Sequence, residues 1–349
     1  MYPALAVLQT LEDDVDSVLW VGGEGGMEAD MINRLGIPFK TIPAAGVHGV
    51  GIRALPGNIL RLIHGIFASR NILTEFKPDG LLFTGGFVAV PMAIAGIKIP
   101  SLLFVPDIEP GLAIKAIARF SDAIALTAEE SKAYFTFHRH TFVSGYPIRR
   151  DLSSWTRQQA KDHFGVHTNK PVVFIFGGSK GARSINQALY RILPELLIKA
   201  QVLHVTGQAN FDEAQTVKTN LSAHADDYLP LAYLHEDMGA AFSAADLVVC
   251  RAGASTLGEL PLFGLPAILV PYPYAWRYQK VNADYLVKNG GAFLLKDEAL
   301  PSGLLPAINR VLDSPEMMES MQRSMKLLSR PEASKTLAET LFSLAGAHD

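Results

Sequence analysis

Two segments in the second half of the chain set glycines, hydroxyls and a carboxylate at spacings that could hold an anionic ligand. The first is Phe174-Ile175-Phe176-Gly177-Gly178-Ser179-Lys180-Gly181-Ala182-Arg183, which reads as a strand, a glycine turn and a helix start. Glycine lets backbone N–H groups come close to an anion, and a helix N-terminus adds about half a positive charge. Gly177, Gly178 and Gly181 therefore form a candidate phosphate loop, with Ser179 able to donate to a phosphate or sugar oxygen. A ligand-free turn explains Gly-Gly-Ser by itself equally well. The spacing is neither that of the Walker lysine motif nor that of the dinucleotide fingerprint. The second segment, Cys250-Arg251-Ala252-Gly253-Ala254-Ser255-Thr256-Leu257-Gly258-Glu259, repeats the strand-turn-helix pattern. Arg251 and Gly253 lie in its turn, Ala254, Ser255 and Thr256 open its helix, and Glu259 follows about one turn later. A carboxylate there can accept two hydrogen bonds from ribose hydroxyls. The bland role of a lone Glu is a solvated helix face.

Other candidates surround these. In Pro271–Ala283, aromatics stand beside Gln279 and Asn282, a mixture that suits a sugar's C–H face and hydroxyls, or an aromatic-rich surface between domains. In the first half, Gly85 and Gly86 follow one apolar run and could cradle a second phosphate. Asp107 and Glu109 follow another and supply strand-end carboxylates, as a general base for a hydroxyl nucleophile requires. A helix cap for Asp107 and a solvated charge for Glu109 are equally natural. Ile59, Leu62, Ile63 and Ile66 recur at helical spacing near Arg53, Arg61 and Arg70. Such a stripe usually faces the core, and that is the preferred reading; it also suits docking on an anionic bilayer. The ten histidines show no metal-ligand spacing, so no metal site is expected.

The elements that must position these residues follow from hydrophobic patterning. Strands are expected at Ser17–Gly22, Gly80–Thr84, Ser101–Val105, Ala123–Thr127 and Thr141–Ser144, then at Val172–Phe176, Val202–Thr206, Leu247–Cys250, Ala267–Val270 and Phe293–Leu295. They alternate with helix-length segments, which implies an α/β fold of doubly wound parallel sheets with ligand loops at the strands' carboxyl ends. Composition shifts around Gly145–Arg150, placing a domain boundary near Pro147. Tyr2–Leu11 reads as a helix with no strand or glycine turn before it, so the chain is expected to start one element late. The last helix, Glu332–Ala345, could pack on either domain.

Composition limits the function. The chain has 349 residues, 49% hydrophobic and 19% charged, enough for two α/β cores. A net charge of −3 gives no global attraction to nucleic acid, and none is expected as a partner. The single cysteine, Cys250, fits a reducing compartment. No apolar stretch approaches the length of a bilayer span.

Gly177–Asn186, Cys250–Glu259, Gly264-Leu265-Pro266-Ala267 and the Gln279…Asn282-Ala283 run resemble the donor motifs of the MurG family of murein glycosyltransferases. The resemblance runs from Tyr2-Pro3-Ala4-Leu5-Ala6 to the last helix and is most specific in the second half. It implies a GT-B fold, two Rossmann-like domains facing a central cleft: an acceptor domain at 1–146, a UDP-sugar domain at 147–330 and a terminal helix at 331–349. It implies inverting, metal-independent transfer of N-acetylglucosamine from UDP-GlcNAc to polyprenyl-diphosphate-linked muramoyl-pentapeptide, at the cytoplasmic face of an anionic membrane and without a cofactor. By this resemblance Ser179 contacts the diphosphate, and Ala254 to Gly258 (with Leu257 among them) line the phosphates and ribose. Glu259 takes the ribose hydroxyls, Gln279 the GlcNAc hydroxyls and the His235 backbone the uracil edge. Arg149 matches a family arginine that stabilises the departing UDP, and Gly85 and Gly86 match the acceptor-side glycine loop. The family's His-Glu-Gln-Asn stretch reads Phe104-Val105-Pro106-Asp107 here, and Phe87 replaces a usual Tyr. The family's first glycine loop, ending in a candidate His base, is expected just upstream of residue 1 or 2. Within the chain the base falls to Asp107 or Glu109. Two other readings are a transferase with a different nucleotide sugar or lipid acceptor, and a non-catalytic nucleotide-sugar-binding protein.

Overall fold

A computed structural model describes residues 1–11, 14–26, 28–44, 55–166, 169–178, 182–221, 224–234 and 236–346. The chain forms two compact units, Met1–Arg149 with Glu332–Asp349, and Arg150–Pro331. Arg149 therefore belongs to the first unit, and so does the terminal helix Ala333–Gly346, which packs on the opening helix Tyr2–Leu11 and on a central strand.

In the first unit, β1 (Trp20–Gly23) pairs with β2 (Phe39–Ile42) in a two-stranded sheet. A separate four-stranded sheet runs in the order β3 (Leu81–Phe83), β4 (Ser101–Val105), β5 (Ala123–Leu126) and β6 (Thr141–Val143). All of these pairings are parallel. Every residue of β4 and β5 is buried, as expected for parallel strands covered on both faces. One apolar core joins Ile42 of β2 to Phe83, Leu103, Val105, Ile124 and Leu126, with Leu19 and Val21 packed against it.

The helix Leu55–Phe76 corrects the preferred sequence reading of its apolar stripe. Its inward face is small: Gly65 and Ser69 are buried, followed by Ile72. A Cβ on Gly65 would lie 2.4 Å from the Pro43 carbonyl oxygen, so this face seats by close backbone approach. Residues 65, 69 and 72 share one side, which turns positions 60, 63 and 67 to the other. Ile59, Leu60, Ile63 and Phe67 are accordingly exposed, at 43%, 57%, 41% and 59%, while Leu62 and Ile66 are partly buried. Arg61, His64 and Arg70 are exposed among them. Arg53 lies outside the described residues.

The second unit holds β7 (Val172–Phe176), β8 (Gln201–Val205), β9 (Tyr228–Leu231), β10 (Leu247–Cys250), β11 (Ala267–Leu269) and β12 (Ala292–Leu294). They form one sheet in the order β12-β11-β10-β7-β8-β9, all parallel. This is the doubly wound order in which the winding reverses between β7 and β10. The amphipathic helix Arg183–Lys199 buries Ile185, Leu189, Ile192, Leu193, Leu196 and Leu197 against the sheet core. The expected helix after the domain boundary is Arg157–His163, started by a capping box in which Thr156 and Gln159 satisfy each other's backbone N–H groups.

Candidate functional site

Open α/β sheets bind ligands outside the strand carboxyl ends, where the winding reverses. In the second unit that point lies between β7 and β10, whose carboxyl ends carry the two glycine segments. Gly178 has φ +93°, a left-handed conformation that favours glycine, and a Cβ there would meet nothing within 4 Å. The backbone is thus open at the turn, as close approach to an anion requires. Gly177 precedes it and is partly exposed. Ser179 and Gly181 lie outside the described residues, and so does His235.

The second loop is more selective than its sequence suggests. Thr256 is buried, and its hydroxyl donates to the Gly253 carbonyl at 2.6 Å. Its N–H donates to the same carbonyl, while the N–H groups of Leu257 and Gly258 donate to Ala254 and Ser255. Leu257 and Gly258 are buried too. Thr256, Leu257 and Gly258 therefore form the inner wall of the turn, and the Thr256 hydroxyl gives its proton to the Gly253 carbonyl. The partly exposed positions are Gly253, Ala254, Ser255 and Glu259. Ser255 makes no side-chain cap to its helix, Thr256–Phe263. Glu259 stands one turn into that helix, near enough to Cys250 to raise the thiol's pKa together with burial, the larger cause.

Arg251 also departs from expectation. Its guanidinium does not face an open anion site; it donates to the carbonyls of Val270 (3.1 Å) and Pro271 (3.4 Å), to Ser184 Oγ (2.8 Å) and to Asp297. It also lies 5.3 Å from the centre of the Tyr272 ring. Asn282 is wholly buried and donates to the Ala252 carbonyl at 3.3 Å, so it supports the loop from behind instead of meeting a sugar hydroxyl. Gln279 is partly exposed; its Oε1 accepts from the Tyr272 N–H at 2.8 Å, which leaves its amide N–H groups as the donors for a ligand. Motif alone gives no role to Ser184, which lies within the Gly177–Asn186 run, or to Asp297, a strand-end carboxylate after β12.

Behind the first loop, a buried chain of polar groups holds the 183–199 helix. Asn186 Nδ2 donates to the Thr206 carbonyl (2.9 Å), which turns Asn186 Oδ1 to His204 Nε2 (3.0 Å). That nitrogen must then donate. Burial lowers the His204 pKa from 6.5 to about 3, so the imidazole is neutral and Nδ1 accepts from the Tyr228 hydroxyl at 2.9 Å. Burial likewise pushes the Tyr228 hydroxyl pKa up, keeping it a donor.

In the first unit, the adjacent strands β3 and β4 bring their carboxyl-end loops together. Gly85 and Gly86 have φ +105° and +89°. Asp107 is partly exposed and Glu109 is buried at 7% exposure. Ser131 Oγ donates to the Ile108 carbonyl between them. Arg149 lies 5.0 Å from the centre of the Tyr2 ring, a contact internal to this unit. Among the described residues, no group of three or more His, Cys, Asp or Glu is arranged to hold a metal ion. No described helix is long and apolar enough to cross a membrane.

Comparison with known proteins agrees with this geometry. Residues 1–126 match the glycosyltransferase family 28 N-terminal domain, and residues 172–337 match its C-terminal domain. The chain is 36% identical to a UDP-N-acetylglucosamine–N-acetylmuramyl-(pentapeptide) pyrophosphoryl-undecaprenol N-acetylglucosamine transferase from Roseiflexus, covering 94% of this chain and 84% of that one. It is 35% identical to the protein of the same name from Desulforudis audaxviator, covering 99% and 95%. Among solved structures it is similar to Acinetobacter baumannii MurG, with a TM-score of 0.75, 22% identity and coverage of 98% and 95%. It also resembles the UDP-GlcNAc 2-epimerase of Neisseria meningitidis, with a TM-score of 0.66, 13% identity and coverage of 98% and 96%. The α/β fold is thus of GT-B type, and the chain belongs to the MurG family of family 28 glycosyltransferases.

Proposed function

We propose that this chain transfers N-acetylglucosamine from UDP-GlcNAc to undecaprenyl-diphosphate-linked N-acetylmuramoyl-pentapeptide, with inversion at the anomeric carbon. The observation that carries the donor half is the pair of glycine loops at the winding reversal of the second unit, with Glu259 one helical turn beyond. Backbone N–H groups at these loops would hold the diphosphate and stabilise the charge that develops as UDP leaves. Glu259 would take the ribose hydroxyls, and the Gln279 amide a hydroxyl of the sugar. Ser179 and the His235 backbone belong to the same proposed set.

The acceptor's diphosphate is assigned to the Gly85–Gly86 loop of the first unit, and its attacking hydroxyl to the neighbouring carboxylates. Of these, Asp107 is the more accessible and is the base we propose within the chain. The acceptor is lipid-linked, and the apolar face of the 55–76 helix, with Arg61 and Arg70 around it, suits peripheral attachment to an anionic membrane on its cytoplasmic side. No metal or nucleic acid enters this reading. The test is Asp107→Asn against Glu109→Gln. Asp107→Asn is expected to lower kcat about 10²–10⁴-fold with UDP-GlcNAc affinity intact, the range for losing a general base. Unchanged turnover in Asp107→Asn would remove it from the mechanism.

A further inference from the structure

The Arg251 guanidinium occupies a place that neither family resemblance nor motif assigns. It leaves the end of β10, bonds the carbonyls of Val270 and Pro271 just beyond β11, and pairs with Asp297 beyond β12. Through Nη2 it reaches Ser184, the second residue of the helix that follows the β7 glycine turn. Ser184 Oγ in turn donates to Asp297 Oδ1 at 2.8 Å, closing a ring of three side chains. Strands β12, β11, β10 and β7 are consecutive in the sheet. A single cation therefore ties together the carboxyl-end connections of four neighbouring strands, including both loops assigned to the diphosphate. The Tyr272 ring lies against the same guanidinium, and the Tyr272 N–H holds Gln279, so the network also reaches the residue assigned to the sugar.

We infer that Asp297 and Ser184 are positioning residues of the donor site, acting through Arg251 to hold the two phosphate-facing loops in register. The inference rests on the donor-site reading above. The physical case is that Arg251 is nearly buried, with a side chain only 10% exposed, so its orientation follows its partners. Removal of the Asp297 carboxylate leaves a buried cation with its carbonyl and Ser184 partners alone. The guanidinium then no longer fixes the turn after β10 against the helix that follows β7, and the backbone N–H groups proposed to hold the diphosphate lose their register. In the proposed site the diphosphate meets both loops, whereas uridine meets only Glu259 and the His235 backbone, so UDP affinity should fall further than uridine affinity.

The experiment measures binding of UDP and of uridine by the full chain, together with its Tm. Asp297→Ala is expected to weaken UDP binding at least about tenfold, the effect of losing a hydrogen bond to a charged group, with a smaller loss for uridine. Asp297→Asn keeps an acceptor oxygen and should recover most of the UDP affinity. Arg251→Lys should not, because one ammonium cannot serve acceptors on three connections at once. Ser184→Ala, a milder change, decides the matter if Asp297→Ala does not fold: a larger loss for UDP than for uridine is again expected. Lys199→Ala, at an exposed pair with Asp313, serves as the control. UDP affinity unchanged in folded Ser184→Ala and Asp297→Ala would overturn the inference, as would parallel losses for UDP and uridine. Failure of the unaltered chain to bind UDP would instead overturn the donor-site reading itself.

Discussion

Single side chains divide the donor site into groups that meet ligand and groups that hold the loops. Glu259 belongs to the proposed ligand side: it is partly exposed on the helix after the second loop, while Thr256, Leu257 and Gly258 are turned inward. Glu259→Ala should therefore weaken UDP binding by about 1.5–3 kcal/mol, the range for hydrogen bonds to a charged group. Calorimetry that returns an unaltered UDP affinity from a folded variant would remove the ribose assignment. His204 stands on the supporting side, and its prediction concerns pH. Its folded pKa is about 3 against 6.5 for the free group, so between those values the unfolded chain binds a proton that the folded chain does not. Stability is then lost as pH falls through this window, by about 1.4 kcal/mol per pH unit from this one group, and nothing is lost above it. Urea unfolding from pH 7 to pH 4 should show a shallower decline for His204→Gln than for the unaltered chain. Equal slopes would show that His204 does not stay neutral in the folded state.

At the scale of elements, the 55–76 helix carries the clearest prediction. Its small inward face leaves Leu60, Ile63 and Phe67 in solvent, with Arg61 and Arg70 beside them. Binding to anionic vesicles should appear at low salt, weaken as salt is added, and fall in both Phe67→Glu and Arg61→Glu. A chain that ignores such vesicles at low salt would leave the apolar face without this role. The same helix shows what sequence patterning can and cannot supply. Helical spacing of Ile59, Leu62, Ile63 and Ile66 identified an apolar stripe, but whether anything covers it depends on Gly65 meeting Pro43, a contact between separate elements. Strands with uniformly apolar residues, such as Ser101–Val105 and Leu247–Cys250, were legible because both faces are buried. Two strands were not. Tyr228–Leu231 contains Pro230, which a sheet tolerates because β9 is an edge, and Phe39–Ile42 carries Lys40 in a two-stranded sheet. The glycine loops stood out through residue type and spacing. The Arg251 ring did not, because Ser184 and Asp297 lie 113 residues apart in sequence and meet only through the sheet order.

At the scale of the molecule, the proposed transferase requires both a nucleotide sugar and a lipid-linked acceptor. The proposed chemistry draws its charge stabilisation from backbone N–H groups and helix termini, so a chelator should leave the rate unchanged. The most direct test incubates the full chain with UDP-GlcNAc labelled in the sugar and with undecaprenyl-diphosphate-linked muramoyl-pentapeptide in detergent, in the presence of chelator. Label is expected in the lipid fraction, with one UDP released per sugar transferred and no release when the acceptor is omitted. Binding of UDP-GlcNAc with no label reaching the lipid, or UDP release at the same rate without acceptor, would contradict the proposed transfer.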